Sequence, residues 1–394
     1  MAKKGLLDID AAGKRVLVRV DYNVPLDPAT GEITDDMRLR ASLPTLEHLI
    51  NAGARLILLS HLGRPDGKVV ERLSLKPIAG RLSQLLRRPV PLAPDCVGPQ
   101  VKAMVASLGE GDVLLLENVR FHPEEEKNDL RFARALARLA DIFVNDAFSV
   151  CHRAHASTVG VTRYLPAVAG FQLEKEIEHL GFLLSTPRRP FAALLGGAKV
   201  KDKVGVLHHI LDRLDKLLVG GGMAIPFLQA QGKPLKAGPE ELAPAQEIAQ
   251  KAKEKGIPVL LPVDAVAAAE LKDAAPFKTV PIDQLPVGWA MADIGPRTIE
   301  LFAGELEACG TVLWNGPVGV FEIPAFSQGT RQLAQVLAGL KAVTVAGGGS
   351  TAEAIHELGL MDRFTHVSTG GGASLEFLEG KDLPGIAALQ DKGR

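Results

Sequence analysis

FQLEKEIEHLGFLLSTPRRPFAALLGGAKVKDK, residues 171–203, decides how this chain is organised. Its first part predicts one amphipathic helix over Phe171–Ser185, with Leu173, Ile177, Leu180 and Leu184 on one stripe. Thr186-Pro187-Arg188-Arg189-Pro190 then stops it, because proline has no amide with which to continue a helix. Phe191–Leu195 is an apolar run of strand length, and Gly196-Gly197 turns the chain beyond it into the start of another helix. A helix, a proline-bracketed break and a fresh strand near mid-chain mark a domain boundary.

The alternation continues outward in both directions. Apolar runs at Arg15–Val20, Arg55–Ser60, Val113–Leu116, Ile142–Val144, Lys216–Val219, Pro258–Pro262, Thr311–Trp314, Ala342–Val345 and His366–Ser368 read as buried parallel strands. Helical patterns fill most gaps: Ala41–Ala52, Leu75–Leu86, Asp129–Leu139, Lys203–Leu214, Ala245–Lys255, Pro324–Leu340 and Thr351–Leu358. The expected fold class is α/β: two Rossmann-like domains, each a parallel sheet with helices on both faces, joined by a hinge helix across a cleft. The chain's 394 residues are long for one core and natural for two.

With 45 basic and 46 acidic residues the formal net charge is −1, which excludes wholesale nucleic-acid binding and confines anion binding to local sites. Cys96, Cys151 and Cys309 form no CxxC pair, against a disulfide framework or zinc site and in keeping with a reducing cytoplasm. Asp8 and Asp10 interrupt any signal-peptide core, and no apolar run approaches the roughly 20 residues of a membrane span. The expected location is cytoplasmic.

The strand ends differ between the halves. No two glycines are adjacent before position 196; thereafter Gly196-Gly197, Gly220–Gly222, Gly347–Gly349 and Gly370–Gly372 each follow an apolar run. In the first half such runs end in Asp21, His61 to Arg64, Arg120 and Asn145-Asp146. Ligands of open α/β sheets sit beyond the carboxyl ends of the strands. One half therefore reads as backbone amides open to phosphates, the other as side chains gripping a small acid. Lys199 and Lys203, four apart, would share one face at a helix N-terminus, where two cations oppose the dipole unless an anion sits between them. The alternative is a solvated basic patch.

No GxxxxGK[ST] loop is present. Gly347–Ala352 fits G-x-G-x-x-A, which keeps an NAD-dependent dehydrogenase as an alternative, but the next strand ends at Ser368-Thr369 without an acid for the ribose. Glu322 beyond Trp314-Asn315-Gly316-Pro317 offers a ribose acceptor or an exposed cap. Arg38, Arg64, Arg120 and Arg153 fall at or just after turns, not on helix faces, and their forks match carboxylate and phosphate. Asp21 and Asn23 suit the hydroxyls of a polyol acid. His61, His152 and His155 read as pocket lining beside the arginines, since His-x-x-His is not the spacing that sets two imidazoles on one helix face.

Taken together, Arg19–Pro25, Ser60–Pro65, Glu117–Phe121, Asn145–Phe148, His152–His155, Gly196–Val200, Gly220–Ala224 and Trp314–Glu322 resemble the phosphoglycerate kinase family from end to end. The resemblance implies an N-terminal phosphoglycerate-binding domain of residues 1–170 plus 380–394, an interdomain hinge helix of 171–186, and a C-terminal nucleotide-binding domain of 187–379. It implies glycerate contacts from Asp21, Asn23, Arg38, His61, Leu62, Gly63, Arg64, Arg120, His152 and Arg153. It implies nucleotide contacts from Gly197, Lys199, Lys203, Gly221, Gly295, Asn315, Glu322, Gly348, Gly349, Ser350 and Thr351, with Arg38, Lys199, Gly348 and Gly371 at the reacting phosphoryl group. The partners implied are 3-phosphoglycerate or 1,3-bisphosphoglycerate and ADP or ATP with Mg²⁺, in glycolysis or gluconeogenesis, on a monomer that binds neither nucleic acid nor membrane.

Two departures stand out. The family usually has Asp as a Mg²⁺ ligand where this chain has Ser350, leaving that hydroxyl as the candidate metal contact. The family usually reads Phe-Gly-Thr-Ala-His where this chain reads Phe148-Ser149-Val150-Cys151-His152. The resemblance implies acyl-phosphate transfer from 1,3-bisphosphoglycerate to MgADP. In reverse, the attacking carboxylate is already ionised at neutral pH, so no general base is needed and the residues supply charge and in-line positioning after domain closure. A non-catalytic nucleotide binder of the same fold would fit Ser350 but not the retained Arg38, Lys199 and Lys203.

Overall fold

The computed structural model describes residues 2–393, which form two compact units: residues through Glu178 together with the C-terminal segment from Asp382, and His179–Lys381. The first unit holds strands β1 (Arg15–Arg19), β2 (Arg55–Leu59), β3 (Val113–Leu115), β4 (Ile142–Asn145) and β5 (Ala167–Ala169). They form one all-parallel sheet in the order β3-β2-β1-β4-β5. Val16, Leu17 and Val18 of β1 are all fully buried, as expected of a sheet covered on both faces. The helix Met37–Asn51 packs Leu39, Leu46 and Leu49 into the same core. The order reverses between β1 and β4, so the loops after those two strands flank the switch point.

The C-terminal segment belongs to this unit through explicit bonds. Gln390 N donates to Ala167 O (3.0 Å), Lys4 N to Gln390 O (2.8 Å) and Gly385 N to Cys151 O (2.8 Å). Lys3 and Asp391 add an ion pair at 2.9 Å.

The second unit contains β6 (Phe191–Leu195), β7 (Lys216–Val219), β8 (Val259–Leu260), β9 (Asp264–Ala268), β10 (Phe277–Pro281), β11 (Ala290–Ile294), β12 (Thr311–Asn315), β13 (Val343–Gly347) and β14 (His366–Val367). Six of them form a parallel sheet ordered β14-β13-β12-β6-β7-β8, whose switch point lies between β6 and β12. The other three form an antiparallel sheet, β10-β9-β11, that the sequence pattern does not announce. Asp264-Ala265-Val266-Ala267-Ala268 has an alanine-rich, helix-favouring composition, and β10 is exposed at all but Val280. Pairing along β9 overrides both tendencies.

Two expectations need correction. The helix after the Gly196-Gly197 turn starts at Val204, so Lys199 lies in an irregular loop and shares no helical face with Lys203. The cause is local: Val200 is fully buried, and its amide donates to Glu241 Oε2 (2.6 Å) in the helix Pro239–Glu254, holding the loop off a helical path. Arg38, read as a turn residue, stands in the first turn of the helix Met37–Asn51, which begins before Ala41 and there brings Arg40 Nε onto Asp36 Oδ1 (2.8 Å). Arg120 does fall at a turn, the 3-10 turn Val119–Phe121 capped by Asn118, whose side chain accepts from Arg120 N.

Candidate active site

Strand ends gather the polar residues of the first unit. Asp21 follows β1, and Arg38 Nη1 pairs with its Oδ2. Ser149 Oγ, beyond β4, donates to the same oxygen (2.5 Å), and Asn23 N donates to Asp21 Oδ1 (3.1 Å). Asn23 Oδ1 accepts from Gly63 N (2.8 Å), and Arg120 Nη1 donates to Gly63 O (2.9 Å), so the residues after β1, β2 and β3 interlock. Gly63 has a φ of +62°, and a Cβ there would stand 2.8 Å from Leu73 Cδ2. Asn118 Nδ2 donates to Leu62 O (2.8 Å), and Arg153 Nε donates to His152 Nε2 (3.1 Å). Arg64 is exposed in the loop after β2.

Beneath these groups lies a buried network that the sequence reading missed. Arg19, on β1 and 1% exposed, donates from Nε to Ser157 Oγ (3.0 Å) and from Nη2 to His61 Nδ1 (3.2 Å). Ser157 Oγ donates to Glu125 Oε1 (2.6 Å), and Glu125 is fully buried. Burial, and then Arg19, Arg120 and Arg38, push the His61 pKa well below its ordinary value. An arginine only donates, so Nδ1 is the acceptor and neutral His61 carries its proton on Nε2. Burial, followed by Arg120 and Arg19, brings His155 down to about 3. Burial also lowers Arg120 to about 10, with Arg19 adding repulsion and Glu126, 3.2 Å from Nε, opposing it.

In the second unit a cavity of about 960 Å³ opens at the β6/β12 switch point. Gly197, Gly221, Glu322 and Ser350 line it, as do Trp289 and Pro317. Several glycines here serve backbone packing. A Cβ on Gly196 would stand 2.2 Å from Pro317 O, and one on Gly316 2.3 Å from Gly196 O. Gly197 N donates to Pro317 O (2.8 Å), welding the two turns together. In contrast, a Cβ at Gly349 or Gly371 would meet nothing within 4 Å. Gly348, with φ +95°, is the N-cap of the helix Gly349–Glu357.

The remaining expected residues fall around this cavity or away from it. Thr351 Oγ1 accepts from Gly316 N (2.8 Å) and so fixes the turn after β12. Asn315 Nδ2 is buried without a hydrogen-bond partner among the described residues, beside Gly347 and Gly348. Lys203 is half-buried with Nζ close to Gly197, and burial lowers its pKa; Lys199 is exposed. Gly295 does not line the cavity: it caps the helix Pro296–Glu307, where a Cβ would collide with the Asp264 carboxyl group.

Arginines and histidines beside a carboxylate at one switch point, with a glycine-walled cavity at the other, fit a phosphotransferase. A family model described as phosphoglycerate kinase matches residues 6–381. Along its full length the chain is 55% identical to the phosphoglycerate kinase of Moorella thermoacetica and 53% identical to that of Pelotomaculum thermopropionicum, each covered completely. The structure of phosphoglycerate kinase from Coxiella burnetii matches with a TM-score of 0.87 at 42% identity, over 98% of both chains. That from Pyrococcus horikoshii matches with a TM-score of 0.85 at 32% identity, over 99% of this chain and 98% of the other. The chain belongs to the phosphoglycerate kinase family, and its reaction is the reversible transfer of the acyl phosphate of 1,3-bisphosphoglycerate to ADP. No helix among the described residues is long and apolar enough to cross a membrane.

Proposed function

We propose that the first unit holds the glycerate and the second the nucleotide, and that transfer between them runs in line without a general base. The observation that carries this reading is the division of chemistry between the switch points: carboxylate, arginine and neutral imidazole after β1 to β4, open glycine amides and the unpartnered Asn315 Nδ2 around β12 and β13. Asp21 and Asn23 take the hydroxyl, His61, Arg64, Arg120, His152 and Arg153 the carboxylate and phosphate, and Leu62 and Gly63 shape the loop. Glu322 receives the ribose; Asn315, Lys203 and the amides of Gly348 and Gly349 receive the nucleotide phosphates. Arg38 and Lys199 converge on the phosphoryl group in flight, with Gly371 beside it, after bending about the helix Phe171–Ser185.

Both substrates are anions, and the attacking carboxylate is ionised at neutral pH, so the work is neutralisation and alignment. A cation placed between donor and acceptor binds the transition state more tightly than either ground state. Lys199→Ala should therefore lower kcat by about 10²- to 10³-fold with little change in either KM. A raised KM with unchanged kcat would assign Lys199 to ground-state binding instead.

The residues present fit Mg²⁺ loosely. Ser350 offers an exposed hydroxyl at the cavity, and the first turn of its helix contains no acid. Magnesium neutralises phosphate charge when it arrives with the nucleotide; Ser350 Oγ would hold it from the protein side, with the phosphates and water providing most ligands. Ser350→Asp should strengthen ADP binding in the presence of magnesium and leave magnesium-free binding equal or weaker. Calorimetric titration with and without the metal reads this, and an equal magnesium effect in both proteins removes Ser350 from the metal site.

A further inference from the structure

We propose that Ser149 is a positioning residue for the Asp21–Arg38 pair, a role resting on the glycerate-site reading above. The Asp21 carboxylate, only 11% exposed, receives Asn23 N on Oδ1 and both Arg38 Nη1 and Ser149 Oγ on Oδ2. Two of these three donors, the Asn23 amide and the Ser149 hydroxyl, follow β1 and β4, the latter in the 3-10 turn Phe148–Val150. Arg38 is the third, a long side chain 29% exposed, on a different element.

This division has a consequence for substrate binding. When Arg38 leaves Asp21 for an incoming anion, Oδ2 would lose its charged partner and the carboxylate would be free to rotate. Ser149 retains a short charge-assisted bond to that oxygen, and Asn23 N retains Oδ1, so the carboxylate keeps its aim. A carboxylate accepts at about four lone-pair sites, which leaves Oδ1 a place for a substrate hydroxyl. Without Ser149, Arg38 is bound more exclusively to Asp21, and handing it over costs more.

The test is titration of 3-phosphoglycerate, and separately of ADP, into the full-length wild type, S149A, S149T, D21N and the D21N/S149A double variant, with melting temperatures alongside. S149A should bind 3-phosphoglycerate about tenfold more weakly, the scale of one hydrogen bond to a charged group. Its ADP affinity should stay at the wild-type value, its melting temperature should fall by no more than the loss of one hydrogen bond accounts for, and S149T, which keeps the hydroxyl, should recover most of the loss. In the D21N background, S149A should make no further difference, because the effect runs through the Asp21 carboxylate. Wild-type-like affinity in S149A overturns the proposal and leaves the glycerate site standing. An S149A loss of equal size with and without Asp21, or a loss shared with ADP, also overturns it in favour of a general structural role. Failure of the wild type to bind 3-phosphoglycerate, or full affinity in D21N, overturns the site assignment itself.

Discussion

At the scale of single residues, the decisive feature is a charge that is absent. His61 and His155 stand among Arg19, Arg120, Arg38 and Arg153, where a protonated imidazole would add to a crowded positive field. Burial and those arginines hold both rings neutral, and Arg19 fixes the His61 tautomer so that Nε2 is the donor. Proton NMR of the histidine C2–H resonances should accordingly find both rings silent between about pH 5.5 and 8, across the ordinary histidine titration near 6.5. A His61 signal with a midpoint near 6.5 would contradict the neutral assignment. Asp21 and His61 were readable as candidates in the sequence because each directly follows an apolar run. Arg19 was not, since it sits inside a strand and looks like one polar interruption. Glu125 was hidden in Pro123-Glu124-Glu125-Glu126-Lys127, which has the composition of a solvated face, yet it is fully buried against Ser157.

Among elements, most of the parallel strands were readable because burial on both faces produces unbroken apolar runs, whereas the three-residue β5 was not found. The antiparallel sheet was not, because an alanine-rich β9 and a mostly exposed β10 carry no period-2 signal. The glycine turns were found, but their purposes divide in a way that spacing alone does not reveal. Gly196 and Gly316 are required by the approach of two backbones, whereas Gly349 and Gly371 have open space where a Cβ would lie. Gly196→Ala should therefore destabilise the second unit by about 1–3 kcal/mol or more through overpacking. Gly349→Ala, free of that collision, should leave stability within about 1 kcal/mol and weaken nucleotide binding by crowding the open amide. Urea unfolding beside ADP titration distinguishes the two, and equal stability losses would show that both glycines serve packing.

For the whole molecule, stability against pH is a contest between buried groups of opposite sign. Burial raises Asp146 in the first unit to about 7 from 3.8, and Asp293 in the second likewise to about 7. Each keeps its proton when folded and loses it when unfolded, so each favours folding below about pH 4, and that contribution disappears as pH rises to about 7. His61 and His155 act the other way: the unfolded rings take up protons below about 6.5 while the folded rings do not, so stability falls on acidification through that range. The two pairs partly cancel between about pH 5 and 6.5, and the wild-type slope there reports their difference. One substitution separates them. Asp146 Oδ1 accepts from Thr45 Oγ1 (3.0 Å) and from Gln172 N (2.9 Å) at the start of the helix Phe171–Ser185, and an asparagine carbonyl can accept both. Its Oδ2 is buried without a hydrogen-bond partner among the described residues, so an amide NH₂ displaces no donor there. Asp146→Asn thus removes the titration while keeping the local bonds. Relative to wild type, this variant should gain stability steadily as pH rises from about 5 to 7.5, because only the wild type must hold an increasingly reluctant acid in its core. Urea unfolding across that range measures the difference directly, and stability curves that run parallel would place the Asp146 pKa outside this window.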